Sequence, residues 1–122
     1  MKILVLDDSE KRLNIFKKNI EEKLELLNST DYVKTAQEAI ECLKKNLDYD
    51  YIFLDHDLEG RIFVPSSYHN TGYTVAKFIS ENDDIKINQI ITHSMNPQGA
   101  QNIKTILPRA EIIPFNLLKT KL

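Results

Sequence analysis

The chain has 122 residues, 42% hydrophobic and 28% charged, a mixture that fills the core of one domain without a disulfide or metal staple. Its 16 Lys and Arg against 18 Asp and Glu leave a charge of −2 at pH 7, which excludes a protein that coats nucleic acid through basic excess but not one that binds a single nucleotide or RNA end. The lone cysteine, Cys42, excludes an internal disulfide framework and points to a reducing compartment.

Ile3 to Leu6 is a short apolar run that ends in Asp7-Asp8 and reads as a buried strand. It is too short for a signal peptide, and no apolar run approaches the roughly 18 residues of a membrane span, so a cytoplasmic protein is expected. Ser9 offers an N-cap to a long helix whose stripe is Leu13, Phe16, Ile20, Leu24 and Leu27, broken by Asn28-Ser29-Thr30. Tyr32-Val33 marks a short second strand. Thr35 to Glu38 has capping-box form and opens a second helix with Ala36, Ala39, Ile40 and Leu43 on its buried face. Cys42 lies beside that face, a small core or boundary residue.

Tyr51 to Leu54 is a third strand ending at Asp55. The stretch from Asp57 to Asn70 has no period, and loops of that length are functional or mobile. A third helix opens near Thr71-Gly72 and carries Val75, Phe78 and Ile79. Ile87, Ile90 and Ile91 form a fourth strand that runs into Thr92-His93-Ser94. Asn96-Pro97 is a cap followed by proline at the first helical position. Ala100, Ile103 and Ile106-Leu107 give that fourth helix its buried face. Ile112 and Ile113 form a fifth strand ending at Pro114, and Asn116 to Leu122 leaves room for one or two helical turns. Strands alternating with helices predict a single α/β domain over residues 1–122. Its expected architecture is one doubly wound, five-stranded parallel sheet in the flavodoxin-like order 2-1-3-4-5.

Ligands of such sheets bind beyond the carboxyl ends of the strands. There the first strand ends in Asp7 and Asp8, and the third in Asp55, His56 and Asp57. These strands are neighbours in the expected order. Asp7, Asp8, Asp55 and Asp57 are therefore a candidate site for Mg²⁺ or Mn²⁺, since clustered carboxylates repel until a hard cation neutralises them. The alternative for Asp8 and Asp57 is helix capping. His56 and His93 stand at the same edge, placed to exchange protons or meet phosphate oxygens. His69 reads as a solvated loop residue. Ser94 and the helix start at Asn96 are candidates for phosphate contact. Arg61 in the long loop either supplies a cation to a phosphate or is simply solvated. Neither of the two common glycine-rich nucleotide loops occurs.

These residues resemble a receiver domain of two-component signalling, with Asp7 and Asp8 as its acidic pair, Asp55 as its phosphoacceptor and Thr92 or Ser94 as its hydroxyl. Ile113 stands where that family has a lysine. A closer resemblance is to the cyclic-phosphate-processing receiver-like group. It rests on Leu6-Asp7-Asp8, Leu54-Asp55-His56-Asp57-Leu58, Thr71-Gly72-Tyr73, and His93-Ser94-Met95-Asn96-Pro97-Gln98-Gly99 with Asn102. That group often carries an arginine soon after the acidic pair, and Arg12 comes somewhat later. The resemblance implies a metal-dependent phosphodiesterase acting on a cyclic phosphate of a nucleotide or RNA end. Taken with the residues read above, Asp55, His56 and His93 would then be catalytic, and Ser94, Asn96 and the loop residue Arg61 would hold the phosphate. The alternatives are a divergent receiver phosphorylated on Asp55 and a protein that sequesters a cyclic nucleotide without cleaving it. No extended nucleic-acid surface and no membrane partner are expected, and the oligomeric state is not readable.

Overall fold

The computed structural model describes residues 2–24 and 29–120, with side chains for all of these except residues 21–24. The side chain of Leu24, and Leu27, Asn28, Lys121 and Leu122, lie outside the described residues. The elements run β1 (Lys2–Leu6), α1 (Glu10–Leu24), β2 (Ser29–Val33), α2 (Ala36–Lys45), β3 (Asp48–Leu54), α3 (Gly72–Ser80), β4 (Lys86–Thr92), α4 (Pro97–Ile106), β5 (Glu111–Ile112) and α5 (Phe115–Leu118). The five strands pair in parallel in the order β2-β1-β3-β4-β5, the flavodoxin-like order expected.

Alternation along the strands builds two cores, one on each sheet face. Leu4, Leu6, Ile52, Leu54 and Ile90 pack under α2, α3 and α4, against Leu43, Val75, Ala76, Ile79 and Ile103. Ile3, Val5, Phe53 and Ile91 face the other way, against Leu13, Phe16 and Ile20 of α1 and Phe115 and Leu118 of α5. Cys42 is half-buried against the first core.

Local signals decide the element ends. Ser9 Oγ accepts from Arg12 N at 3.2 Å and starts α1. Thr35 accepts from Glu38 N, and Glu38 accepts from Lys34 N at 3.3 Å, so the box closes one residue earlier than its usual form. Asn96 accepts from Gly99 N at 3.1 Å and starts α4.

Some strand boundaries differ from expectation. β2 begins at Ser29 because Ser29 to Asp31 pair with Lys2 to Leu4, and the Lys2 ammonium reaches Ser29 Oγ at 3.2 Å and Asp31 Oδ2 at 3.1 Å, so polar side chains hold this edge where no apolar run marks it. β3 begins at Asp48, held by the pairing of Asp48 with Lys86 and Tyr49 with Ile87. β5 is Glu111–Ile112, although Ile113 N still donates to Thr92 O at 3.0 Å.

The crossover from β3 to α3 brings the start of α3 onto the end of β3. Gly72 N donates to His56 O at 3.0 Å, and a Cβ at Gly72 would lie 1.9 Å from the Asp55 carbonyl oxygen. No rotamer relieves a clash with backbone. Gly72→Ala is therefore expected to destabilise the fold by about 3 kcal/mol or more, the upper end for overpacking, measured by urea unfolding. An unchanged midpoint would show that the strand end yields.

Candidate functional site

β1 and β3 run in register, Leu6 opposite Leu54, so Asp7 and Asp55 leave the sheet side by side. Asp7 is 0% exposed and Asp55 5%. Two buried carboxylates at this separation require a cation or a proton. Arg12, in the first turn of α1, supplies the cation. Its Nε donates to Asp7 Oδ2 at 2.8 Å, and its Nη2 to Asp7 Oδ1 at 2.9 Å and to Asp55 Oδ2 at 3.3 Å. Asp8 Oδ1 lies 3.5 Å from the same Nη2.

The two carboxyls are driven apart in acidity. Burial pushes Asp7 up, but hydrogen bonds from His93 and Arg12 outweigh it and hold Asp7 below the ordinary carboxylate range. Burial, then repulsion by Asp7, lift Asp55 well above that range against the pull of Arg12. Burial also holds His93 below the ordinary imidazole range despite Asp7. His93 Nε2 lies 2.8 Å from Asp7 Oδ2. An ionised Asp7 has no proton to give, so neutral His93 carries its proton on Nε2 and a lone pair on Nδ1. That Nδ1 is buried and has no hydrogen-bond partner among the described residues.

Both histidines stand behind carboxylates rather than facing solvent. His93 packs edge-on against Phe16 at 5.0 Å between ring centroids, on the α1/α5 side. His56 is 0% exposed and lies on the α4 side, where a Cβ at Gly99 would meet its ring at 2.4 Å. His56 Nδ1 pairs with Asp57 Oδ1 at 2.7 Å, and its Nε2 with Ser66 Oγ at 2.8 Å, itself an acceptor from Asn102 Nδ2 at 2.9 Å.

The 57–70 segment has neither helix nor strand but is tethered throughout. Gly60 N donates to Asp8, Asn96 Nδ2 to Val64 O, and Asn70 joins Glu59 to the first turn of α2. Leu58 and Val64 are buried anchors. The segment forms one wall of a cleft of about 450 Å³, with Asp8, Arg12, Asp55, Asp57, Arg61, Ser94 and Asn96 among its lining residues and Ile62, Phe63 and Met95 at its mouth. Phe63 has φ 52°, a left-handed conformation that costs a non-glycine residue about 1–3 kcal/mol.

The expected site residues therefore divide. Asp7, Asp55 and His93 come together, each offering a ligand atom within 4.8 Å of the others, all buried. Carboxylate oxygens with one imidazole suit a borderline or hard divalent cation, although Arg12 occupies the faces of Asp7 and Asp55. Asp8 is at the rim. Asp57 is turned aside to His56 and to Asn96 Nδ2 at 3.0 Å. Asn96 is spent on its cap and on Asp57, which leaves Ser94 as the phosphate-contact candidate on that strand end. The Ser94 oxygen accepts from Asn96 N at 3.0 Å and keeps its own proton to donate. The Thr92 hydroxyl donates to Leu54 O at 2.8 Å, out of the cleft. Arg61 stacks on Tyr68, 4.7 Å from the ring centroid, and forms no ion pair among the described residues. His69 is exposed in the loop. Sequence reasoning left Arg12 without a role. Its signal was the four-residue spacing from Asp8, one helical turn.

The family described as cyclic-phosphate processing receiver domain matches residues 2–109, and the chain belongs to it. No curated protein matches the sequence. Among solved structures, the non-phosphorylated receiver domain of the stress response regulator RcsB from Escherichia coli is similar at TM-score 0.71 and 20% identity, covering 99% of this chain and 86% of that one. The Mn²⁺-bound response regulator Rcp1 is similar at TM-score 0.68 and 15% identity, covering 98% and 89%. At these identities the likeness is one of fold. Among the described residues no helix is long and apolar enough to cross a membrane.

The raised Asp55 gives a pH test. The folded chain keeps this proton to higher pH than the unfolded chain, so stability is fully present in acid and falls as pH rises through the folded value. Asp55→Asn removes that loss. In metal-free buffer it is expected to stabilise the protein at neutral pH by about 1–2 kcal/mol, the gain shrinking as pH falls into the ordinary carboxylate range. Urea unfolding across pH checks it, and a gain that grew in acid would contradict the assignment.

Proposed function

We propose that this receiver-like chain is a metal-dependent phosphodiesterase that opens a cyclic phosphate ester, of a nucleotide or RNA end, to a monoester. The observation that carries the reading is the buried Asp7, Asp55 and His93 group, of which Asp55 and His93 line a cleft that Ser94 and Arg61 also line. Processing of cyclic phosphates is the described property of the family matched, and Rcp1, of the same fold, is a Mn²⁺-bound protein.

Asp7 and Asp55 would hold Mg²⁺ or Mn²⁺, with Asp8 at the rim. When bound, the cation supplies charge neutralisation at the phosphoryl oxygens and a lowered pKa for bound water. The chain's own residues do the rest. Arg12, released from part of its carboxylate pairing, and Arg61, which forms no ion pair within 4.0 Å among the described residues, would face the anionic ester. The Ser94 hydroxyl donates to a phosphoryl oxygen. The balance is simple: a water oxygen bonds to phosphorus, one ring P–O bond breaks, and the sugar oxygen released takes a proton. His93 acts through Asp7, fixing that carboxylate by its Nε2 proton. His56 does the same for Asp57. Both are positioning residues in this reading.

The test is turnover of 2′,3′-cyclic nucleotides, RNA ending in a cyclic phosphate and cyclic dinucleotides, each with Mg²⁺, Mn²⁺ or EDTA, with products separated by chromatography. Metal-dependent monoester is expected. Ligands recovered intact but bound would favour sequestration. A phosphoadduct on Asp55 after incubation with a small acyl phosphate and Mg²⁺ would favour the signalling reading instead.

His93→Ala is expected to lower both turnover and Mn²⁺ affinity about 10- to 100-fold, the usual cost of losing a residue that orients a metal ligand. His93→Gln, which keeps an N–H donor, is expected to recover part of both. Unchanged turnover and Mn²⁺ affinity in a folded His93→Ala protein would remove the role.

A further inference from the structure

The mouth of the cleft is built unlike its floor. Five large hydrophobic residues are exposed among those described, and three of them, Ile62 at 78%, Phe63 at 72% and Met95 at 57%, border this one cleft. They come from two separate segments, the 57–70 loop and the turn between β4 and α4. Burial does not hold Phe63 where it is, and neither does backbone ease, since its φ is 52°. Strain that persists in an exposed aromatic residue points to use of the side chain by a ligand. The neighbours support that. Arg61 is fixed over the Tyr68 ring, and Asn96 Nδ2 ties Val64, next to Phe63, to the α4 start at 3.4 Å. The loop thus presents Phe63 from a tethered frame rather than from a free tip.

A ligand that fits both halves of the cleft needs an anionic end for the floor and a flat apolar end for the rim. A nucleoside phosphate has that division. Any base offers a π-face to an aromatic ring, and a thioether packs well on a ring edge. We propose that Phe63, with Ile62 and Met95 lining the same cleft, forms a nucleobase-stacking subsite, so that the chain selects cyclic phosphates carrying a base over base-free ones. The inference rests on the phosphate-ester reading of the floor. It adds the subsite that would read the base and a residue that determines specificity.

The experiment is equilibrium titration in Mg²⁺ with two hydrolysis-resistant ligands, the 2′,3′-cyclic phosphorothioate of adenosine and the same ester of 1-O-methylribose, which lacks the base. The wild-type chain is expected to prefer the adenosine ligand. Phe63→Ala is expected to weaken that ligand alone by about 10- to 100-fold, the worth of one base–aromatic stack. Phe63→Tyr keeps the flat face and is expected to bind as wild type, whereas Phe63→Leu keeps bulk without the face and is expected to weaken. Phe63 is outside both cores, so the variants should fold, and Phe63→Gly, free of the backbone strain, is a second check on any variant that does not. A trinucleotide with the same terminal ester reports the source of the base. It matches the mononucleotide if a free nucleotide is the ligand and binds tighter if a strand end is, with the Phe63→Ala loss present in both cases.

Equal binding of the two esters by wild type, or equal weakening of both by Phe63→Ala, would overturn the base subsite and leave the phosphate floor standing. Binding of neither would overturn the phosphate reading and the subsite with it. If the sole effect of Phe63→Ala were loss of concentration-dependent association in sedimentation, the rim would be a contact between copies and the proposal would fail.

Discussion

Two carboxylates buried side by side at the ends of β1 and β3 are the constraint around which this fold's functional edge is arranged. Parallel pairing of Leu6 with Leu54 forces the approach, and low local dielectric makes it costly. The chain meets that cost asymmetrically. Asp7 receives a guanidinium, an imidazole N–H and the Ser9 backbone N–H at 2.9 Å. Asp55 receives the remainder of Arg12 and the His56 backbone N–H at 2.9 Å. One acid is thereby kept ionised and its neighbour drawn toward its proton, the division from which acid and metal chemistry can both start.

The same constraint explains why the histidines are buried. A ring that donates to Asp7 must lie against it, and the space there is closed by Phe16 and Phe115, whose centroids are 5.0 and 6.1 Å from that of His93. Across the sheet edge, His56 is clamped between Asp57 and Ser66 and against Gly99. The two rings flank the carboxylates from opposite sheet faces. Each fixes one aspartate, and each ties a different layer of helices to the ligand edge. The 57–70 loop joins this frame through Ser66 and through Gly60 N on Asp8.

The strand order and the meeting of Asp7 with Asp55 were legible because both follow from backbone periodicity and from which strands neighbour in a doubly wound sheet. The caps at Thr35 and Asn96 were legible because capping is local chemistry. Side-chain direction past a strand end was not. Asp57 follows Asp55 by two residues and would share its face in a continuing strand. Instead the chain turns at a single antiparallel bridge between Asp57 and Thr71, and the carboxylate swings to His56. The burial of His93 was hidden for a related reason, since it depends on Phe115, 22 positions onward and on another element. The strain at Phe63 has no sequence signature, because nothing in Arg61-Ile62-Phe63-Val64 demands a left-handed residue.

The missing lysine can be read through the same electrostatics. Receiver domains, in the resemblance drawn above, place a lysine after the fifth strand. Here Ile113 holds that position, bonded to Thr92 O at 3.0 Å and packed against the α1/α5 core. The acidic pair still needs a fixed positive charge, and Arg12 brings it from the first turn of α1. A guanidinium there contacts three carboxylates at once, Asp7, Asp8 and Asp55, which a lysine ammonium cannot match with the same planar geometry.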